Sequence, residues 1–274
     1  MSGGYEQKLG NWENIETIPI NQTRDSGKIV YKSAIALKLA SIWRQPPVDI
    51  ATKLTKCCIE VVNTEAGQDT VIFQVEPMSS GMIYFEITDL SVANWLHDLT
   101  SGNLITGHEQ LQVTVDSRSI QPTILFNIQY SHARCCSLLR MGERDRLITL
   151  IPRIQNTCDR VWLIKTPNPI PWQQKNGQLQ FSHYAECRLI SQLAFTLDNI
   201  YSVSSTQKAV NWEKLADRLS AAFQNFYSQC RIWGKVKINR PELAQARLGL
   251  VLATQSVLRF LLEERLGAQA PLEL

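Results

Sequence analysis

The chain has 274 residues, of which 44% are hydrophobic, so it is long enough to bury a core and to form one or two domains. Its net charge of +3 does not indicate a nucleic-acid partner by itself. No apolar run approaches the roughly eighteen residues that a membrane helix needs, and the first residues lack the basic and apolar segments of a secretory signal. We therefore expect a soluble, cytoplasmic protein that does not contact a membrane.

Charge is distributed unevenly between the two halves of the chain. Residues 1–131 contain 9 Lys and Arg against 14 Asp and Glu, a net charge of −5, whereas residues 132–274 contain 19 against 11, a net charge of +8. A basic carboxy-terminal half fits a phosphate-bearing partner, because each cation that neutralises a phosphate releases a counterion.

The seven cysteines are odd in number and include two vicinal pairs, Cys57–Cys58 and Cys135–Cys136. Without a C-x-x-C pair, this usage predicts buried, reduced thiols rather than disulfides or zinc ligands. His97 and His108 have no Cys or His at metal-ligand spacing, and neither a Ser/His/Asp pattern nor a Gly-rich phosphate loop occurs. We therefore expect no metal, no cofactor and no small-molecule substrate.

The first part of the chain predicts a flexible leader over residues 1–27 and then an α+β module over 28–120, a small antiparallel sheet with helices. Ile35, Leu39 and Ile42 share one helical face, while β-branched and aromatic runs separated by turn residues indicate strands. The predicted elements are helices over 28–45, 48–56 and 89–99, the last capped by Asp89, and strands over 57–63, 70–76, 82–88 and 109–115.

An amphipathic helix is predicted over residues 126–140, where Tyr130, His132 and Arg134 occur at i, i+2 and i+4. Tyr130 and Arg134 share a face, so their ring and guanidinium can stack a splayed base and hold its phosphate. The alternative is an ordinary helix, with Tyr130 and His132 half buried and Arg134 in solvent.

Helix is predicted to continue to about residue 166, before a proline-rich break over 167–178. Trp172 in this break either stacks in solvent or pins the loop to the core. Three long helices follow: 182–201 capped by Ser182, 211–232 capped by Asn211, and 241–266, which begins at Pro241 and stops at Gly267.

The helical half contains four distinctive segments: YSHAR at 130–134, SLLR at 137–140, FQNFYSQCR at 223–231 and RLGLVLATQSVLRFLLEERLGAQAP at 247–271. Together these segments resemble the DALR-type anticodon-binding domain of class I arginyl-tRNA synthetases. The resemblance implies an all-α helical bundle over 121–274 that binds tRNA or another structured RNA.

The resemblance also implies RNA contacts, at Tyr130 and Arg134, just after the Cys-Arg pair at Ile232 and Trp233, and at the extreme carboxy terminus. We also expect Arg140 and Arg231 to contact RNA phosphates. The family's terminal methionine is Leu274 here, and its preceding arginine is Glu273, a reversal of charge. The RNA-binding candidates are therefore Tyr130, His132, Arg134, Arg140, Arg231, Trp233 and Leu274.

The amino-terminal module is similar to the additional domain with which the same synthetases contact the D-loop of tRNA. Its segment 81–85 is GMIYF, where the family usually has Gly-aromatic-Ile-Asn-Phe, so Met82 and Tyr84 occupy the D-loop positions. An asparagine amide can pair with a base edge, whereas a tyrosine offers stacking and one hydroxyl.

The HIGH and KMSK motifs of the synthetase catalytic domain do not occur in the sequence. Two hypotheses follow. The chain is a non-catalytic synthetase paralogue that binds tRNA or a tRNA-like RNA, or its scaffold serves protein–protein contact after losing RNA recognition. A subunit that assists a separate catalytic protein remains compatible with either hypothesis.

Overall fold

The computed structural model describes residues 18–23, 27–64, 71–101, 120–153, 161–202 and 210–274. The chain divides into two compact units, Met1–Ile87 and Thr88–Leu274. The strand predicted over 109–115 lies outside the described residues.

The first unit is a four-stranded antiparallel sheet with two helices, which confirms the predicted α+β class. Its elements are β1 (Ile20–Gln22), β2 (Val30–Ser33), α1 (Ile35–Trp43), α2 (Pro47–Thr64), β3 (Phe73–Pro77) and β4 (Ile83–Ile87). The strand order is β1-β2-β4-β3. The core between sheet and helices contains Leu39, Ile50 and Ile83, all nearly inaccessible to solvent.

Three predictions in this unit are wrong. β1 lies inside the segment that we predicted as leader, and β2, with which it pairs, lies where a helix was predicted. Residues 57–63 continue α2 instead of forming a strand. Ile50 and Leu54, four residues apart, pack a helical face into the core, and this burial outweighs the β-propensity of Ile59 and Val61.

The second unit is a helical bundle with one β-hairpin, as the DALR-like motifs imply for its helices. Its elements are α3 (Asp89–Ser101), α4 (Pro122–Arg144), β5 (Thr149–Arg153), β6 (Val161–Thr166), α5 (Tyr184–Ser202), α6 (Trp212–Gln229), α7 (Lys235–Asn239), α8 (Pro241–Phe260) and a π-helical turn (Leu261–Arg265). α8 is the central helix, buried along most of its length, and contacts α3, α4, α5, α6 and α7.

The helix over 89–101 belongs to this second unit, although we predicted it in the amino-terminal module. α3 packs on α8 and β6. Its start also differs, because the Thr88 hydroxyl accepts a hydrogen bond from the Ser91 amide while Asp89 accepts one from the Leu179 amide. Asp89 therefore fixes the loop before α5 instead of capping its own helix.

Helix does not continue to residue 166, which corrects the prediction for the connector. α4 is followed by Arg146 in the left-handed region, at φ 57°, and then by the antiparallel pair β5 and β6. Pro152 within β5 cannot donate a backbone hydrogen bond, so it disfavours a helix here and is tolerated in a two-stranded hairpin.

Trp172 pins the proline-rich loop to α8. Its side chain is only 4% exposed, so it is a core residue and not a solvent-facing stacking residue. A Cβ atom at Gly249 would lie 2.4 Å from Cη2 of Trp172, closer than any real contact. Glycine at 249 therefore allows the indole to lie against the backbone of α8.

The structure confirms one of the predicted helix caps and corrects another. Asn211 caps α6 as predicted, because its side-chain oxygen accepts a hydrogen bond of 2.8 Å from the Lys214 amide. At α5 the Glu186 carboxylate, not Ser182, accepts hydrogen bonds from the backbone, at 3.0 Å from Ser182 N and 2.8 Å from His183 N.

The described part of the chain contains no helix with the length and hydropathy of a membrane span.

Candidate nucleic-acid interface

The exposed face of α4 presents two aromatic rings. Tyr130 is 45% exposed and Phe126, one turn earlier, is 55% exposed. Their ring centroids lie 6.3 Å apart with the planes inclined by 24°, a stacked arrangement. Sequence reasoning found Tyr130 and missed Phe126, although its i−4 spacing from Tyr130 was a usable signal.

Arg134 lies one turn after Tyr130 and reaches across to α6. Its guanidinium lies 4.6 Å from the ring centroid of Tyr227 and donates a hydrogen bond to the Tyr227 hydroxyl. Its Nε is buried and has no hydrogen-bond partner among the described residues. That buried atom is not accessible to a ligand. The guanidinium, oriented by the Tyr227 ring, still places a planar cation on the wall of a surface pocket, and such a cation suits a phosphate or base oxygen.

Three side chains of α4 hold the segment 268–274, here called the tail, against the helix. The hydrogen bonds run from Gln129 Nε2 to Gln269 O (2.9 Å), from His132 Nδ1 to Pro271 O (2.8 Å) and from Arg140 Nη2 to Leu272 O (3.0 Å). These bonds fix the backbone of the tail beside Tyr130.

His132 is fully buried, so it is not an RNA contact, which corrects the sequence-based expectation. Gln255 Nε2 donates to His132 Nε2 at 2.9 Å, and the ring donates from Nδ1 to Pro271 O. These two partners select the neutral Nδ1–H tautomer. Burial lowers the pKa of His132 from 6.5 to about 4, although the hydrogen bond to Pro271 acts in the opposite direction.

Arg140 is bonded within the molecule and does not project as an unpaired phosphate contact. Its Nη2 lies 3.1 Å from Oε1 of Glu273, and its guanidinium lies 5.9 Å from the ring centroid of Trp162. The charge reversal noted at position 273 therefore has a structural consequence: the carboxylate pairs with the cation that we expected to bind phosphate.

An open surface pocket of about 320 Å³ lies between α4 and the tail. This volume is at the lower end of the roughly 300–1,000 Å³ typical of small-ligand sites. The pocket brings together Tyr130, Arg134, Arg140 and Leu274 from the predicted set. Its complete lining is Tyr130, Ala133, Arg134, Ser137, Arg140, Leu272, Glu273 and Leu274.

Arg231 and Trp233 lie in the same unit but do not line this pocket. Arg231 is exposed, and its carbonyl accepts a hydrogen bond from Arg247. Trp233 is half buried, and its indole Nε1 has no hydrogen-bond partner within the described residues. Both residues remain candidates for a second contact outside the pocket.

Met82 and Tyr84, the positions expected to face a D-loop, belong to the first unit. Tyr84 lies in β4 between Lys32 of β2 and Glu76 of β3, its cross-strand neighbours. A carboxylate and an ammonium flank the ring, so this sheet position carries no excess of positive charge. Met82 is half buried just before the strand, and its carbonyl accepts a hydrogen bond from the Met78 amide.

No group of His, Cys, Asp or Glu in the described residues has the geometry of a metal site. The six cysteines in this part of the chain are free thiols. Burial raises the pKa of Cys136 to about 12 and that of Cys230 to about 11, so both thiols stay protonated and unreactive at neutral pH. Cys57 is exposed, contrary to the expectation that all thiols are buried.

The family model of the DALR anticodon binding domain matches residues 128–274. The chain belongs to this family. The match covers α4 from residue 128 onward, the hairpin, α5 to α8 and the tail, so it includes every residue that lines the pocket.

The curated relatives of the chain are arginine–tRNA ligases. The protein from Synechococcus sp. (strain JA-3-3Ab) is 31% identical over 144 residues, which cover 53% of this chain and 21% of the ligase. The protein from Moorella thermoacetica is 31% identical over 147 residues, 54% of this chain and 22% of the ligase. The chain thus spans only about a fifth of the length of these ligases, and the family match places the anticodon-binding domain within residues 128–274. No solved structure matches the chain.

Proposed function

We propose that the chain binds tRNA, or an RNA with a tRNA-like loop, in the pocket between α4 and the tail, and that it catalyses no aminoacylation. The observation that carries this proposal is the convergence of Tyr130, Arg134 and Leu274 on one pocket. The sequence lacks the HIGH and KMSK motifs, so it offers no group to form an adenylate. Recognition of the RNA is the function that remains.

The aromatic rings on α4 supply the stacking contribution to the free energy of RNA binding. Tyr130, which lines the pocket, is exposed and stacked on the exposed ring of Phe126, so an unpaired loop base can stack on it. Stacking of a base on an aromatic side chain contributes roughly 1–3 kcal/mol and tolerates any base. Arg134, oriented by Tyr227, supplies the cation for the backbone of the same nucleotide.

The substitution Arg134→Ala tests this role, and α5 offers a matched control. Arg188 of α5 donates to the hydroxyl of Tyr184 at 3.0 Å and is exposed, so it reproduces an Arg–Tyr pair away from the pocket. In salt-titrated binding of total tRNA, we expect Arg134→Ala to weaken binding and to reduce the salt slope by about one. Arg188→Ala should change neither quantity, and an equal loss in both variants would contradict the proposed site.

Two observations favour a second candidate, a protein-docking surface. The Glu273 carboxylate pairs with Arg140, and Phe126 is an exposed apolar ring beside the pocket. The carboxylate lowers the positive charge of this face, and the Phe126 ring raises its apolar character. If the protein fails to bind any RNA at low salt, this candidate replaces the RNA-binding proposal.

A further inference from the structure

We infer that Glu273 determines the specificity of the pocket and selects guanine as the base stacked on Tyr130. This inference rests on the RNA-binding function proposed above. Glu273 lines the same pocket as Tyr130, and its side chain is 80% exposed, so the carboxylate is accessible to a ligand.

The position of Glu273 is set by its neighbours. The preceding residue, Leu272, accepts a hydrogen bond from Arg140, and the same guanidinium contacts Oε1 of Glu273 at 3.1 Å. Since His132 anchors Pro271 as well, the backbone that carries the carboxylate is fixed on α4. The acceptor is thereby oriented before a ligand arrives, which limits the entropy lost on binding.

The charges of Arg140 and Glu273 on this side of the pocket favour a base edge over a phosphate. Arg140 and Glu273 form an ion pair, so a phosphate placed beside Arg140 would also face a carboxylate. Arg134 lines the same pocket and stacks on Tyr227 of α6, not on the tail that carries the carboxylate. The pocket therefore offers a cation to a phosphate and, separately, a carboxylate to hydrogen-bond donors.

A carboxylate accepts hydrogen bonds and donates none. Guanine is the RNA base with two adjacent donors on its Watson–Crick edge, N1–H and the N2 amino group, and these match the two carboxylate oxygens. Adenine and cytosine place a ring acceptor beside the amino group, and uracil has one donor between two carbonyls. A stacked base that meets Glu273 is thus bound best when it is guanine.

The test uses RNA stem-loops that share one stem and an otherwise all-uridine loop, with guanine, adenine, cytosine or uracil at the central position. Binding of the full chain is measured by fluorescence anisotropy at one salt concentration. We expect the guanine loop to bind about tenfold more tightly than the others, a discrimination typical of one bidentate pair. In Glu273→Gln the preference should fall to about twofold or less, because an amide presents one donor and one acceptor.

Glu264→Gln is the matched control, since it removes the same charge from an exposed residue of the π-helical turn outside the pocket. It should keep the preference for guanine. Equal binding of all loops by the wild-type protein, or a preference that survives Glu273→Gln, would overturn the inference and leave RNA binding intact. Failure of every loop and of total tRNA to bind would instead refute the proposed function.

Discussion

The buried ion pair between Glu186 and Arg247 makes the strongest prediction about stability in the second unit. Glu186 Oε1 accepts from Arg247 Nε at 2.7 Å, with side-chain exposures of 1% and 10%. Its other oxygen accepts from the amides of Ser182 and His183. Arg247 also donates to the carbonyl of Arg231, so one pair ties α5, α8 and the segment after α6 together.

Glu186→Ala leaves Arg247 buried without its counter-ion and two amides without an acceptor. Removing one partner of a buried pair costs about 3–5 kcal/mol. With a urea dependence of roughly 2 kcal/mol per molar, the unfolding midpoint should fall by about 2 M. Glu186→Gln keeps an oxygen acceptor but no charge, so it should lie between the wild type and Glu186→Ala.

The assay is urea unfolding followed by pulse-labelled amide exchange at α5 and α8, which reports on the second unit alone. Arg247→Met should cost less in the Glu186→Ala background than in the wild type, with a coupling of at least about 1 kcal/mol. Glu264→Ala, at an exposed position, should stay within about 0.5 kcal/mol of the wild type. A midpoint for Glu186→Ala equal to that of Glu264→Ala, or strict additivity of the pair, would refute the reasoning.

Two further predictions concern a titration and a packing contact. The folded pKa of His132, about 4, is below its ordinary 6.5, so the unfolded chain binds the proton first. The resulting stability, on the order of 3 kcal/mol, is fully present above pH 6.5 and lost as the pH falls towards 4. His132→Gln should flatten this part of the stability profile in urea titrations across pH, and an unchanged slope would contradict it. Gly249→Ala should lower stability by about 1–3 kcal/mol in thermal melts, because its Cβ meets Trp172, and a wild-type melting temperature would contradict the packing.

The sequence was sufficient for the parts of the site that depend on local spacing. Tyr130 and Arg134 are four residues apart on a regular helix, so their shared face follows from helical geometry. The same geometry could have corrected the expectation for His132. A residue at i+2 points to nearly the opposite side of the helix, the side on which Cys135 and Leu139 are buried.

The partners that shape the pocket could not be predicted from local spacing. Tyr227 lies 93 residues from Arg134, and Leu272 lies 132 residues from Arg140. Such contacts depend on how the helices pack, which no periodicity within one segment reports. The substitution at Glu273 was visible in the sequence, but its pairing with Arg140 emerged only from the fold.

The wrong secondary-structure predictions have a common physical origin. In α2, the burial of Ile50 and Leu54 stabilises a helix through a segment rich in β-branched residues. In β5 and β6, backbone pairing between distant residues such as Ile151 and Leu163 replaces the predicted helix. In each case tertiary contacts decided between two local conformations of similar propensity.

The most direct test of the RNA-binding account is ultraviolet cross-linking of bound tRNA to the full chain, with the cross-linked residues mapped by mass spectrometry. The account predicts cross-links at Tyr130 and Phe126 on α4 and at Tyr227 on α6. It predicts none at Tyr184 of α5, which is at least as exposed as these three residues. Cross-links confined to Tyr184 or to the first unit, or no cross-links at low salt, would contradict the claim that this pocket binds RNA.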